Sequence, residues 1–483
     1  MPLPVTILLV SILAAFGLLL LVIIGRTLAF RPKSDIVPDD SAVEFDKTAP
    51  TETLRQLIRC ATVSYRDPAK EDDAEFQKLV SLLPTLFPAV FRVCEYTELP
   101  DRALLFRWKG KSGGAPAVLM AHYDVVPAEA SAWEKPPFEA ILEDGVLWGR
   151  GTLDTKVTFN AILFAANRLV EEGFTPENDI YFAFSGGEEV NGKGAVRIVD
   201  YFEEKGITPA YVLDEGGAVV EKVFPGVSTP AAMIGIAEKG MLDLEYRVKS
   251  GGGHASAPPP HTPVGVLSES CRRVEGNPFK SHLTPPVRMM FDTLGRHSTF
   301  VYRMIFANLF LFSWVLDFLA KKTGGEMNAL LRTTVAFTQM QGSSASNVIP
   351  PEASMVSNIR LNPCDTVESA AEYIRKTVAN ERVEVKVLHG MNPSRISTTE
   401  CDGYKKIASA VASTWRGTIV TPYLMVQCSD SRHYGRISDR VFRFSAMALT
   451  SEERRTIHGN NERIRVEAIV EACEFYLRLM KNS

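Results

Sequence analysis

"NDIYFAFSGGEEVNGKGAVRIVDYFEEKG", residues 178–206, decides how this chain folds. An apolar run rich in aromatic residues stops at Gly186 and Gly187. A polar loop follows, and then a stretch with apolar residues at helical spacing that ends at Gly206. A strand followed by a loop and a helix is the unit of a parallel sheet, because parallel neighbours need a long crossover between them. The loop carries Glu188 and Glu189 side by side. Like charges repel and Glu is depleted in strands, so two acids at a strand end call for a chemical reason.

The same unit recurs on either side. "PAVLMAHYDVV" (116–126) predicts a strand, "TFNAILFAANRLVEEG" (158–173) a helix, and "PAYVLDEGG" (209–217) a third strand. Upstream, "TETLRQLIRCATV" (51–63) carries helical spacing. Apolar strands alternating with helices predict a parallel sheet covered on both faces, with ligands beyond the carboxyl ends of its strands. Near residue 236 the texture changes. "MLDLEYRVKSGGGHASAPPP" (241–260) is β-rich with a glycine break, and "NVIPPEASMVSNIRLNP" (347–363) alternates like a strand. We expect a catalytic domain in two parts, 48–236 and 364–483, with an α+β domain inserted at 237–363. Within that insertion lies "FVYRMIFANLFLFSWVLDFLAKK" (300–322). Arg303 and Asp317 make it a poor spanning helix. It fits either a core or subunit-contact helix, or a greasy surface serving a lipid-like substrate or a membrane face.

With 483 residues, 46% hydrophobic, 23% charged and a net charge of −4, the composition is that of a globular protein of two domains. No basic stripe suggests nucleic acid. The seven cysteines are scattered without a CxxC pair, which excludes a zinc ribbon and argues against a dense disulfide framework. "VTILLVSILAAFGLLLLVIIG" (5–25) holds no charge. At ~1.5 Å per residue it covers the ~30 Å hydrocarbon core of a bilayer, which predicts a single-pass membrane anchor followed by a linker at 26–47. The rival is a cleaved signal peptide, but a basic leading region and a small-residue cleavage site are lacking. Arg26, Arg31 and Lys33 follow the span, and the positive-inside rule would put the body in the cytosol.

Chemistry-bearing residues gather at the predicted strand ends. His122 and Asp124 lie two apart in "AHYDVV", on one face of an extended chain. A metal-binding imidazole is commonly held through its other nitrogen by a carboxylate. Asp154 sits in the glycine-flanked loop of "LWGRGTLDTKVTFNA", where alone it would read as a helix cap. "VLDEGG" supplies Asp214 and Glu215, and "TIHGNNERI" supplies His458. Carboxylates converging in one cleft repel unless cations sit between them. Imidazole and carboxylate without cysteine suit zinc, manganese or cobalt in an open catalytic site, and five ligands suit a pair of ions. One acid of the Glu188–Glu189 pair can then ligate while the other serves as a base.

"MAHYDVVP", "WGRGTLDTK", "FSGGEEVNGKG", "VLDEGG", "GGGHASAPP", "SNVIPPEA", "CSDSRHY" and "IHGNNERI" occur in this order between about residues 50 and 480. Through them the chain resembles the M20 family of di-zinc metallopeptidases, above all its carboxypeptidase S and N-acyl-amino-acid hydrolase branch. The resemblance implies a three-layer αβα catalytic domain with an inserted α+β (ferredoxin-like) lid. It implies that His122 and Asp214 hold one zinc, Glu189 and His458 the other, and that Asp154 bridges both. Asp124 would buttress His122, Glu188 would be the general base, and the Asp154–Thr155 peptide bond would be cis. His254 would polarise the scissile carbonyl, from the partner subunit in dimeric relatives, and Asn347 and Arg360 would bind substrate. Asp430, Arg432 and His433 would line the pocket, although Gln427–Cys428 departs from the Gly-Gly of many relatives and leaves their role open. The substrates implied are small peptides or N-acyl amino acids. Two other functions compete: a membrane-tethered, non-catalytic scaffold on the same fold, and a serine hydrolase using "GSSAS" (342–346), which lacks the strand–elbow–helix setting of such a nucleophile.

Overall fold

Around the deciding stretch the expected alternation forms: strand Ala117–His122, helix Lys156–Glu171, strand Ile180–Ser185, helix Gly194–Glu204, strand Tyr211–Val220. The computed structural model describes residues 3–33, 36–39, 41–222 and 224–483; Ser34, Asp35 and Asp40 of the expected linker lie outside them. These strands join an eight-stranded sheet. Its spatial order is Glu95–Leu99, Ala103–Trp108, Ile180–Ser185, Ala117–His122, Tyr211–Val220, Val441–Leu449, Ala231–Glu238 and Ile419–Met425. The central four run parallel. The first two form an antiparallel hairpin, and Ala231–Glu238 meets Val441–Leu449 antiparallel, so the sheet is mixed. A connection of three residues, 100–102, leaves no room for the crossover a parallel pair needs.

Alternate residues of the central strands feed opposite cores, as the pleat requires. Val118, Met120 and Val212 pack with Ala195, Ile198 and Phe202 of the helix Gly194–Glu204. Leu119, Ala121 and Leu213 face the other way, into a larger core shared with the helices Lys156–Glu171, Asp402–Thr414 and Val466–Lys481. Helices therefore cover both faces, and the three layers present the strands' carboxyl ends at one rim.

A smaller, fully antiparallel sheet has the order Thr334–Gln341, Glu352–Leu361, Gly240–Lys249, Glu384–Met391. The helices Pro263–Gly276 and Val367–Val378 pack on it through Leu267, Ala371 and Ile374. Strand–helix–strand–strand–helix–strand is the ferredoxin-like arrangement. Two features differ from the boundaries read in the sequence. Residues 364–391 complete this smaller unit instead of returning to the large sheet; the short alternation of "EVKVLHGM" (384–391) gave little to mark it as a strand. Conversely, the helices Pro285–His297, Phe300–Ala307, Leu309–Thr323 and Gly325–Leu331 leave the smaller unit, and their Val287, Phe291, Leu294 and Phe306 join the large core.

The helix Leu3–Ala29 carries no charge before Arg26 in its last turn, is long and apolar enough to cross a membrane, and leaves most of its side chains exposed. Its last turns rest against Phe300–Ala307.

Candidate metal centre

His122 is the last residue of its strand and pairs in register with Ser185 at the end of the neighbouring parallel strand. Three residues further on, Glu188–Val190 makes a 3-10 turn. Asp124, fully buried, ties the two strand ends together. Its Oδ1 accepts from the Glu188 amide at 3.1 Å, and its Oδ2 from the Glu189 amide at 3.3 Å and from Ser64 Oγ at 2.7 Å. His122 Nδ1 lies 3.0 Å from the Asp124 carbonyl oxygen and 3.4 Å from its carboxylate, which leaves Nε2 to face the cleft. The glycine at 186 has a steric cause: a Cβ there would stand 2.7 Å from the Tyr123 ring.

Asp154 stands between two imidazoles. Its Oδ1 is 3.0 Å from His122 Nε2 and its Oδ2 3.1 Å from His458 Nε2. His458 Nε2 is also 3.0 Å from Glu189 Oε2, and His122 Nε2 is 3.4 Å from Glu215 Oε1. Ligating atoms of His122, Asp154 and Glu189, and of His122, Glu188 and Glu215, each gather within 4.8 Å of one another. The Asp154–Thr155 bond is cis.

A residue that the sequence did not single out builds the Asp154 loop. Glu462, fully buried, accepts from the amides of Gly151 (3.1 Å), Leu153 (2.7 Å) and Asp154 (3.2 Å) and from Arg150 Nη1 (2.6 Å). Arg150 Nη2 in turn donates to the Gly459 carbonyl at 2.9 Å. The turn carrying His458, which has a left-handed φ of 57°, is thus bound to the loop carrying Asp154. Such backbone strain persists where surrounding contacts over-determine it.

Asp214, which the resemblance names as a ligand, has a neighbour, Glu215, that stands nearer to His122. Asp214 alternates with Glu215 along the strand, and its Oδ2 accepts from the Ser431 amide at 2.9 Å. Glu215, one residue on and on the opposite side, is the acid that reaches His122. Nothing in "VLDEGG" says which of the two adjacent acids faces the cleft, since that depends on strand register. His254 and Asn347 are exposed on a two-stranded ribbon, where the Asn347 carbonyl accepts from the Ala255 amide at 2.9 Å; neither lines the cavity holding the cluster. Asp430, Arg432 and His433 do not line it either. They lie in the 3-10 segment Asp430–Arg436 behind the strand ends, where Ser185 Oγ donates to Asp430 and Arg432 Nη2 donates to Asn191 Oδ1 at 3.0 Å. Burial, reinforced by Arg432 and Arg436, pushes His433 down to about 4. Arg360, from the smaller sheet, places Nη1 3.3 Å from Sγ of Cys428, which does line the cavity.

The cluster is electrostatically frustrated. Burial, with the charges of Glu215, Asp430 and Glu189 adding to it, holds Glu188 well above the carboxylate range. Burial likewise pushes Glu215 up to about 8. Hydrogen bonds to Asp154 and Glu189 raise His458 to about 10. Glu189 Oε1 is buried without a hydrogen-bond partner. Clustered acids with an orphaned, inward carboxylate oxygen and two imidazoles, and no thiolate, form a donor set that fits divalent cations such as zinc, manganese or cobalt.

The cluster forms one end of a 630 Å³ cavity of mixed lining: Ala218, Val220, Met233, Met425, Met447 and Leu449 make an apolar wall, and Glu326, Arg454 and Arg455 line it as well. A second cavity, of 520 Å³, lies at the amino ends of the strands beside Ala117 and Tyr211 and contains none of these residues.

Residues 118–482, about three-quarters of the chain, match Peptidase family M20/M25/M40. The chain belongs to that family. Among curated relatives, the probable carboxypeptidase S-like 2 of Dictyostelium discoideum is 32% identical over 97% of this chain and 92% of its own length. The N-fatty-acyl-amino acid synthase/hydrolase PM20D1 of Xenopus tropicalis is 36% identical over 89% of this chain and 85% of its own. Among solved structures, the M20 family metallo-carboxypeptidase Sso-CP2 of Sulfolobus solfataricus superposes with a TM-score of 0.67 at 18% identity, over 89% of this chain and 98% of that one. The M20 protein described here is accordingly a hydrolase, and the scaffold and serine-hydrolase alternatives find no support.

Proposed function

We propose that this M20 hydrolase cleaves the amide bond of N-acyl amino acids, including those with long acyl chains, to a carboxylic acid and a free amino acid. The observation that carries the reading is the joining of a polar, cation-suited cluster to a 630 Å³ cavity that has an apolar wall of Ala218, Val220, Met233, Met425, Met447 and Leu449. That wall gives a hydrocarbon chain an apolar surface to bury against. The name of the 36% identical relative, an N-fatty-acyl-amino acid synthase/hydrolase, agrees with it.

In this mechanism His122, Glu215 and Asp154 would hold one cation, and His458, Glu189 and Asp154 the other, zinc being the expected metal. Bound there, divalent cations would supply polarisation of a carbonyl and a water acidic enough to ionise near neutral pH. Glu188 accepts the proton of the attacking water while the water oxygen bonds to the acyl carbon. As the carbon–nitrogen bond breaks, Glu188 passes that proton to the departing nitrogen. Asp124 fixes both acids by accepting their backbone amides. Arg360, poised at Cys428 on the cavity wall, binds the substrate carboxylate, whose two oxygens its guanidinium fork matches. His254 and Asn347, exposed on their ribbon, act on the cluster of a second copy in a homodimer formed through the smaller unit. The helix Leu3–Ala29 anchors the enzyme in a membrane.

Glu188→Gln should keep its metal content while losing most turnover, a factor of ~10²–10⁴ for a proton-transfer group. Metal analysis beside hydrolysis of an N-acyl amino acid measures both, and near-normal turnover overturns the base assignment. A panel of N-acyl amino acids and dipeptides tests the substrate: a wide preference for dipeptides removes the acyl reading of the cavity.

A further inference from the structure

We infer that the outer face of the helices Phe300–Ala307 and Leu309–Thr323 docks on the lipid bilayer, at the place where the helix Leu3–Ala29 leaves it. The inference builds on the anchor proposed above and assigns a surface that the catalytic reading does not use.

The two helices meet at 110° across a break at Asn308. Leu309, Leu316 and Ala320 turn inward onto the large core. The opposite side carries Phe310, Trp314 and Phe318, spaced four apart and so aligned in one stripe. They are 63%, 68% and 59% exposed. Phe300 and Val301, at the start of the first helix, are exposed as well. Isolated exposed apolar residues are ordinary in a soluble protein, but an aligned aromatic stripe marks a contact surface.

Contacts with the N-terminal helix fix the depth of this surface. Arg26 donates from Nε and Nη2 to the Ala307 carbonyl at 3.1 and 2.9 Å. Asn308 Nδ2 donates to the Ile23 carbonyl and to Thr27 Oγ1, both at 3.3 Å. The Arg26 guanidinium lies 5.3 Å from the Phe310 ring. The break is therefore level with the last turns of the apolar helix, where hydrocarbon gives way to headgroups. From that point the second helix, ~22 Å long, turns aside with its aromatic stripe outward and Lys321 and Lys322 at its far end. Aromatic side chains favour this depth, and lysines favour anionic headgroups.

Continuity selects the occupant. The stripe runs on directly from the exposed apolar surface of Leu3–Ala29, and a protein covering the stripe would compete with the lipid around that helix. Internally, Glu326, just past the Gly324–Gly325 junction that ends the second helix, lines the cavity of the cluster. Docking would thus bring that cavity close to the bilayer surface.

The test uses the full chain reconstituted in phosphatidylcholine–phosphatidylglycerol vesicles, with or without brominated acyl chains. Of the five tryptophans, Trp108, Trp133 and Trp415 are buried, so Trp314 is the prominent reporter. Brominated lipid should quench a component of the emission that Trp314→Phe removes. Quenching of that component by acrylamide but not by brominated lipid overturns the docking. Protection from both quenchers, together with cross-linking of two copies through this face, overturns it in favour of self-association. Co-sedimentation at alkaline pH reports on the anchor separately. A chain that sediments while Trp314 stays in water loses only the docking; a chain that does not sediment loses both. Hydrolysis of a short-chain, water-soluble N-acyl amino acid on the same vesicles reads the catalytic proposal independently.

Discussion

Two neighbouring acids, Asp214 and Glu215, divide the work of the third strand end by pointing to opposite sides. Glu215 faces His122, and Asp214 receives the Ser431 amide. Glu215→Ala should therefore lower the bound metal toward one equivalent, and Asp214→Asn should leave the equivalents nearly intact while weakening affinity by ~10–100-fold, the usual effect of a supporting group. Metal titration of the two variants decides between them; loss of one equivalent in Asp214→Asn alone would restore the assignment drawn from the resemblance. At this scale much of the cluster was legible in the sequence. His122 ends an apolar run and His458 precedes Gly459, while Asp154 and Glu189 follow Gly151 and Gly187 within three residues, in loops just before a predicted helix and just past a predicted strand. Ser64 and Glu462 were not legible, because a supporting role depends on what the folded chain brings near, and neither residue sits in a telling local pattern.

The loop 149–155 and the turn 456–462 act as one element, although about 300 positions separate them. Glu462 accepts three amides of the loop and pairs with Arg150, both side chains being almost wholly buried. Removing one member of a buried pair leaves the other charge uncompensated, at a cost of ~3–5 kcal/mol. Glu462→Ala should lose about that much in denaturant unfolding and should also lose metal, since Asp154 would no longer be held toward both imidazoles. A loss well under 1 kcal/mol would refute the account. The helix after the loop was predictable from its period, but the short strands Val146–Trp148 and Arg463–Arg465 that flank the pair were not, because three residues carry no period. The helices between 285 and 331 were not assigned to the right core, because an apolar helix carries no label for which sheet it will cover.

For the molecule as a whole, cations would bind only the folded chain, and each site held at a hundredfold over its dissociation constant would contribute about 2.7 kcal/mol. Chelation should therefore lower the thermal midpoint as well as abolish activity, with both recovering on addition of zinc, manganese or cobalt. An unchanged midpoint would show that the clustered acids are not relieved by metal. The parallel centre of the large sheet and the central strands of the smaller one emerge from local alternation, but the antiparallel edges of the large sheet and the limits of both units do not, because residues 364–391 return to strands laid down more than a hundred positions earlier. A further consequence concerns the order in which the chain is made. His458 and Glu462 come about 300 positions after Asp154, and the Asp154 loop depends on them. During synthesis the first half of the cluster is therefore made long before its partners, and a nascent chain is inert toward amides until the turn 456–462 has emerged and docked.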